Sequence, residues 1–244
     1  MNGPQESTTR RALLSGAGLA AGGFLLAGCT ETKVRTGSTD LGRKGGAQEE
    51  ADVSPLEDLM REHGLLRRVT LIYGEVIRRL ETATEVPAAA VAEAAGIVRS
   101  FVEDYHEKLE EDFLFPRFRK AEMLVDLVDV LVAQHKAGRV ITDVTLRLAN
   151  AESLKKPDDR WALVKSLQQF IRMYNPHAAR EDTVLFPAVH QVIWAKEYDK
   201  MGDVFEDKEL QLFGTGGFKK MVARVADIER TLGIYDLAQF TPKA

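Results

Sequence analysis

HEKLEEDFLFP, residues 106–116, returns 71 residues further on as HAAREDTVLFP, residues 177–187. Each phrase opens on histidine, carries glutamate four residues later and closes on Leu-Phe-Pro. Four residues of α-helix advance about 400°, a net 40°, and rise about 6 Å. His106 and Glu110 therefore share one helix face, and so do His177 and Glu181. Both pairs lie on the apolar stripe of their segment, where a carboxylate is costly unless something compensates it. A cation is the obvious compensation, and imidazole with carboxylate suits iron, manganese or zinc.

Working outward, the stripe extends through four helical segments. Ser54-Pro55 followed by Glu57 and Asp58 reads as a helix start: a cap, a proline in the first turn and acids near the positive end. Leu56, Leu59, His63, Leu66, Thr70, Tyr73, Ile77 and Leu80 then hold one face. A second helix is expected over about 87–116, with Val91, Val98, Val102, His106 and Leu109 inward. A third is expected over about 122–151, with Leu127, Leu131, His135 and Gly138 inward, and a fourth over about 159–186, with Leu163, Leu167, Phe170, Tyr174, His177 and Glu181 inward. No strand pattern competes. The expectation is an all-α chain, an up-down-up-down four-helix bundle with extra C-terminal helices.

His63 precedes His106 by 43 residues and His135 precedes His177 by 42. The repeat is thus larger than the phrase: a helix with histidine, then a helix with His-x-x-x-Glu, written twice. One histidine on an apolar stripe is ordinarily a satisfied core residue; four in phase with two acids point to a metal site. His190 has no counterpart in the first half and reads as surface. Tyr105 and Tyr174 read as core packing or as groups behind the site. Phe115-Pro116 and Phe186-Pro187 read as an apolar plug and a helix break.

Composition excludes other classes. The 244 residues carry a net charge of −4, without the basic balance of a nucleic-acid binder. One cysteine, Cys29, allows neither an internal disulfide nor a cysteine zinc site. Thr9-Arg10-Arg11 precedes an apolar run from Ala12 to Ala27, 16 residues and short of the roughly 20 a spanning helix needs. Basic pair, apolar core and small residues make a secretory signal. The arginine pair resembles a twin-arginine signal, and Leu26-Ala27-Gly28-Cys29 resembles a bacterial lipobox. That resemblance implies cleavage before Cys29, a lipid on it, and peripheral attachment to a membrane. The expected organisation is an export signal at 1–28, a lipidated cysteine and flexible stalk at 29–51, the helical domain at 52–190 and a C-terminal helical extension at 191–244. The extension is expected to pack across the bundle. The resemblance places the chain in the bacterial cell envelope, on the outer side of the inner membrane or in the periplasm.

Taken together, His63, the segment from His106 through Glu110, His135 and the segment from His177 through Glu181 resemble the hemerythrin-like, or HHE cation-binding, family over about residues 54–190. The resemblance implies a four-helix bundle holding two non-haem iron ions joined by carboxylates and an oxo or hydroxo group. It implies His63, His106, His135 and His177 as terminal nitrogen ligands and Glu110 and Glu181 as bridging carboxylates. Glu107 stands where some members supply a further carboxylate ligand; its alternative is a solvated helix-face acid. Arg139 stands where invertebrate oxygen carriers have another histidine. Asp182 stands at the aspartate position of those carriers, although Glu181 points inward better. The function implied is binding of, or reaction with, a small diatomic or oxidant: oxygen, nitric oxide or peroxide. The alternative is iron storage or sensing without turnover. Ferritin-like di-iron proteins repeat Glu-x-x-His instead, whereas the phrase this chain repeats is His-x-x-x-Glu.

Overall fold

Ser54 caps the first helix by accepting the Glu57 N–H on its hydroxyl at 3.3 Å, in a computed structural model that describes residues 53–242. Helix α1 follows over Pro55–Glu81, with Glu57 and Asp58 in its first turn and Arg78 and Arg79 in its last. Both ends thereby complement the helix dipole. Helix α2 runs over 88–120, α3 over Val125–Leu148, α4 over 157–192, α5 over Ala195–Phe213 and α6 over Gly217–Thr231. Single 3-10 turns lie at Ser153–Lys155 and Leu237–Phe240. No strand occurs among the described residues.

The two repeated phrases correct one expectation. Neither Phe-Pro unit ends its helix: α2 continues through Pro116 to Lys120, and α4 through Pro187 to Val192. In a strict α-helix the proline would lack its donor and press on the carbonyl four residues back. Both helices loosen to π geometry just ahead of the proline, at Glu110–Leu114 and Glu181–Leu185. The wider register admits the ring and carries the chain onward. A third π segment, Val98–His106, leads into the first histidine of the motif. Helix α4 also runs on through Pro176.

α1 packs against α4 and α2, and α3 packs against the same two. Val69, Ile72, Val76, Val98, Phe101, Leu131, Leu163 and Leu167 fill the space between them, all essentially inaccessible. Burial of such side chains contributes roughly 1.5–3 kcal/mol each. α5 lies on α1, and α6 on α1 and α2. Met201 and Phe205 of α5 and Met221, Val225 and Ile228 of α6 are buried there. Phe113 and Phe205 meet edge to face, ring centroids 5.6 Å apart. The described residues form one compact unit. No described helix is long and apolar enough to cross a membrane. The signal and lipobox positions, and the stalk up to residue 52, lie outside the described residues.

Candidate metal centre

The four helices bring His63, His106, His135 and His177 inward in two pairs. His63 Nε2 lies 3.1 Å from His106 Nε2, and His135 Nε2 lies 3.2 Å from His177 Nε2. Glu110 and Glu181 lie between the pairs, both fully buried. Glu110 Oε1 is 3.6 Å from His106 Nε2, and its Oε2 is 3.5 Å from His135 Nε2. Glu181 Oε2 is 3.3 Å from His63 Nε2 and 3.1 Å from His177 Nε2. Each carboxylate therefore reaches one histidine of each pair.

The other ring nitrogen of every histidine meets an oxygen. His63 Nδ1 donates to Asp182 Oδ1 at 2.7 Å, and His106 Nδ1 to Glu62 Oε2 at 2.6 Å. His135 Nδ1 donates to Glu111 Oε1 at 3.1 Å, and His177 Nδ1 to Gln134 Oε1 at 2.8 Å. An oxygen acceptor at Nδ1 puts the proton there and leaves the Nε2 lone pair facing the centre, the tautomer a metal ligand needs. These partners form a closed ring: α1 serves α2, α2 serves α3, α3 serves α4 and α4 serves α1. Each partner stands next in sequence to a member of the inner set, Glu62 beside His63, Glu111 beside Glu110, Gln134 beside His135 and Asp182 beside Glu181. Arg67 holds the second oxygen of Asp182.

Two unprotonated nitrogens facing each other at 3.1–3.2 Å repel unless a proton or a cation lies between them. Protons alone leave the carboxylates unsatisfied, because all four oxygens of Glu110 and Glu181 are buried without a hydrogen-bond partner. Buried polar atoms in native folds are almost always paired. Burial drives Glu110 well above the carboxylate range, and the charge of Glu181 adds to it. Burial likewise holds His106 well below the ordinary imidazole value and lowers His135 to about 4. For His63, burial is outweighed by Asp182 and Glu181, which raise it to about 9. For Glu181, burial is outweighed by His177 and His63, which lower it. A positive ion on the Nε2 and carboxylate atoms reconciles these opposed demands. Ligand atoms of Glu110, His135, His177 and Glu181 lie within 4.8 Å of one another, and so do those of His63, His106 and Glu110. The residues present fit a metal.

Six of the seven residues chosen from sequence converge in this way. Glu107 is placed differently. Its Oε1 accepts the Tyr174 hydroxyl at 2.7 Å, its Oε2 lies 2.8 Å from the Arg139 guanidinium, and it approaches His135 only at Nδ1, at 4.0 Å. Glu107 is 1% exposed, so it is not a solvated helix-face acid, and its ligand atom lies within 4.8 Å of those of Glu111 and His135. Tyr174 fits because position 138 is glycine: a Cβ there would sit 2.0 Å from the Tyr174 hydroxyl. Arg139 also bonds Glu111 at 2.8 Å, so it braces the acid behind His135. Phe186 stacks on His63 with centroids 5.5 Å apart, and Phe115 on His135 at 5.6 Å. The Leu-Phe-Pro ends of the two phrases thus wall the histidines of the other two helices. His190 is exposed and meets Tyr198, away from the centre.

Sequence reasoning missed Glu62, Glu111 and Gln134 and set Asp182 aside. The signal was present: in the register that superposes the two halves, Glu62 matches Gln134 and Glu111 matches Asp182.

Comparison with known proteins agrees with this geometry. Residues 54–189 match the hemerythrin HHE cation binding domain. An uncharacterized protein of Mycobacterium bovis and one of Mycobacterium tuberculosis are each 45% identical to the chain over 240 residues, covering 98% of it and 93% of the relative. No solved structure matches.

Proposed function

Since the chain belongs to the hemerythrin HHE cation-binding domain family, we propose that it is an exported, non-haem di-iron protein that binds or reacts with oxygen, nitric oxide or peroxide. The observation that carries the reading is the pairing at the centre. Two imidazole nitrogens face each other on either side, and two carboxylates with no other partner span the gap. In this reading His63 and His106 would hold one metal and His135 and His177 the other, with Glu110 and Glu181 supplying carboxylate oxygens to the centre. The helices run up-down-up-down, as the short connections after α1, α2 and α3 favour.

Iron in such a centre supplies one-electron redox chemistry and affinity for small diatomics. The chain's own residues do the rest. Glu62, Glu111, Gln134 and Asp182 fix the Nδ1 protons and aim each Nε2 inward. Phe115 and Phe186 exclude water from the ring faces. Glu110 and Glu181, otherwise unpaired, supply negative charge to the interior.

The export part rests on Thr9-Arg10-Arg11 and on Leu26-Ala27-Gly28-Cys29. In this reading the signal is removed before Cys29, and a lipid on Cys29 holds the domain at the membrane through the segment 29–51. A twin-arginine route exports folded proteins, which lets the metal be loaded in the cytoplasm.

Metal analysis and absorption spectroscopy test the centre. The reading expects about two irons per chain after anaerobic reconstitution, with an absorption that changes on adding oxygen, nitric oxide or peroxide. Less than about one metal per chain would sink it. Bound iron whose spectrum ignores all three ligands would favour storage or sensing instead.

A further inference from the structure

Bonding continues outward from His106. Glu62 gives Oε2 to His106 Nδ1, while its Oε1 is buried with no hydrogen-bond partner. The side chain is 2% exposed, so the unpartnered oxygen is costly. Asp58, one turn earlier on α1, and Glu209 of α5 each bring a carboxylate close to that of Glu62. Ligand atoms of the three lie within 4.8 Å of one another. The buried Tyr105 hydroxyl faces Glu62 without a well-formed hydrogen bond, and Asp58 and Glu209 act on it too.

Asp58 and Glu209 line a cavity of about 1010 Å³ at the start of α1, beside α5 and the turn into α6. Glu57, Glu206 and Asp207 line it too. Arg61 approaches Asp58 at 3.4 Å but rests its guanidinium on the Phe218 ring, and Lys219 lines the same cavity. Glu209 already caps α6 by accepting the Phe218 N–H at 2.8 Å, which occupies one of its two oxygens. Acids therefore outnumber bases, and the innermost acid is the unsatisfied one.

We propose that Asp58, Glu62 and Glu209 form a second cation site, which takes one hard divalent cation of the Mn²⁺ kind from this cavity. The donors are all oxygen, which selects against the softer preferences of the four-histidine centre. Among the described residues the site exists once. In the other half of the repeat the place of Glu62 is held by Gln134, which has no charge, and that half has no counterpart of α5. The C-terminal extension thereby supplies a ligand as well as packing. Glu62 joins the two sites, with one oxygen toward the new cation and one on His106.

The test uses the full chain, loaded with iron and desalted, then titrated with Mn²⁺ while the electron paramagnetic resonance signal of free Mn²⁺ is followed. The expected result is uptake of one Mn²⁺ per chain beyond the iron, weakened at least about tenfold in Glu209→Gln and in Asp58→Asn. The two substitutions keep side-chain shape and lie on different helices, and circular dichroism checks that each variant stays helical. No uptake by the parent chain, or uptake unchanged in both variants, overturns the proposal. Should the histidine centre hold no iron, the same titration on the chain as prepared, decided by the same variants, keeps failure of that centre separate from failure of this site.

Discussion

Gln134 does for His177 what Glu62 does for His106. Each accepts an Nδ1 proton from the next helix, at 2.8 and 2.6 Å, from a position one residue before a histidine of its own helix. One is an amide and the other a carboxylate, so the two halves of the centre match in geometry and differ in charge. A carboxylate behind an imidazole makes it a stronger donor to metal than an amide does. The His63–His106 side is therefore the more electron-rich.

Removing that support should weaken the metal without unfolding the chain. Gln134→Ala is expected to cost about 10–100-fold in metal affinity. Competition with a chelator, with helicity followed by circular dichroism, reads both quantities. Affinity within about twofold of the parent would show that packing alone orients His177.

Glu110 and Glu181 should matter more. Glu110→Ala and Glu181→Ala are each expected to lose metal, and His190→Ala to retain it. Metal analysis of the three purified variants decides, and metal retained in either glutamate variant removes that residue from the ligand set.

Gly138 makes room for Tyr174. Gly138→Ala would press its Cβ onto the tyrosine hydroxyl, and overpacking of this kind costs about 1–3 kcal/mol. Urea unfolding measures the loss. Adding Tyr174→Phe removes the atom in closest conflict, so the double variant is expected to recover part of the stability rather than lose more. Additive losses would mean the clash is relieved elsewhere.

Stability should also report one surface cluster in acid. Glu75 accepts from Arg78 and Arg79, which lower it to about 2 against the opposing effect of burial. A lowered folded value means the contribution is present above the unfolded value, about 4.5, and disappears as pH falls toward about 2. Glu75 is half-buried but Arg78 is exposed, so solvent screening keeps the effect small. Between those pH values the urea midpoint of the parent is expected to fall more than that of Glu75→Gln; equal slopes would dissociate the cluster from stability.

Much of this was legible in the sequence because two periods coincide. The helical stripe placed His63, His106, His135 and His177 inward, and the duplication told them apart from ordinary core histidines. Glu62 and Glu111 were missed because each lies one residue off the stripe, about 100° round its helix, where an acid normally reads as solvated. Glu62 is buried and Glu111 half-buried because a neighbouring helix covers that flank, which is a property of packing between helices. Glu107 shows the same limit from the other side. Its spacing admits a ligand, but whether Tyr174 reaches it depends on a glycine 31 residues away on another helix. The helix break expected at Pro116 and Pro187 failed because proline is judged against α geometry, and π geometry tolerates it.

The ring of Nδ1 partners bears on the order of assembly. Three of its bonds join helices that are consecutive in the chain. The fourth, from His63 to Asp182, spans 119 residues and ties α1 to α4. Contacts of such separation form late, after the intervening chain has already lost its freedom. A hairpin of α1 and α2 alone orients His106 but leaves His63 to rotate, and a hairpin of α3 and α4 orients His177 but not His135. Neither half is a working chelator by itself. A nascent chain emerging helix by helix would therefore gain its full grip on a cation only when α4 docks, so tight retention of the ion becomes a signature of completed folding.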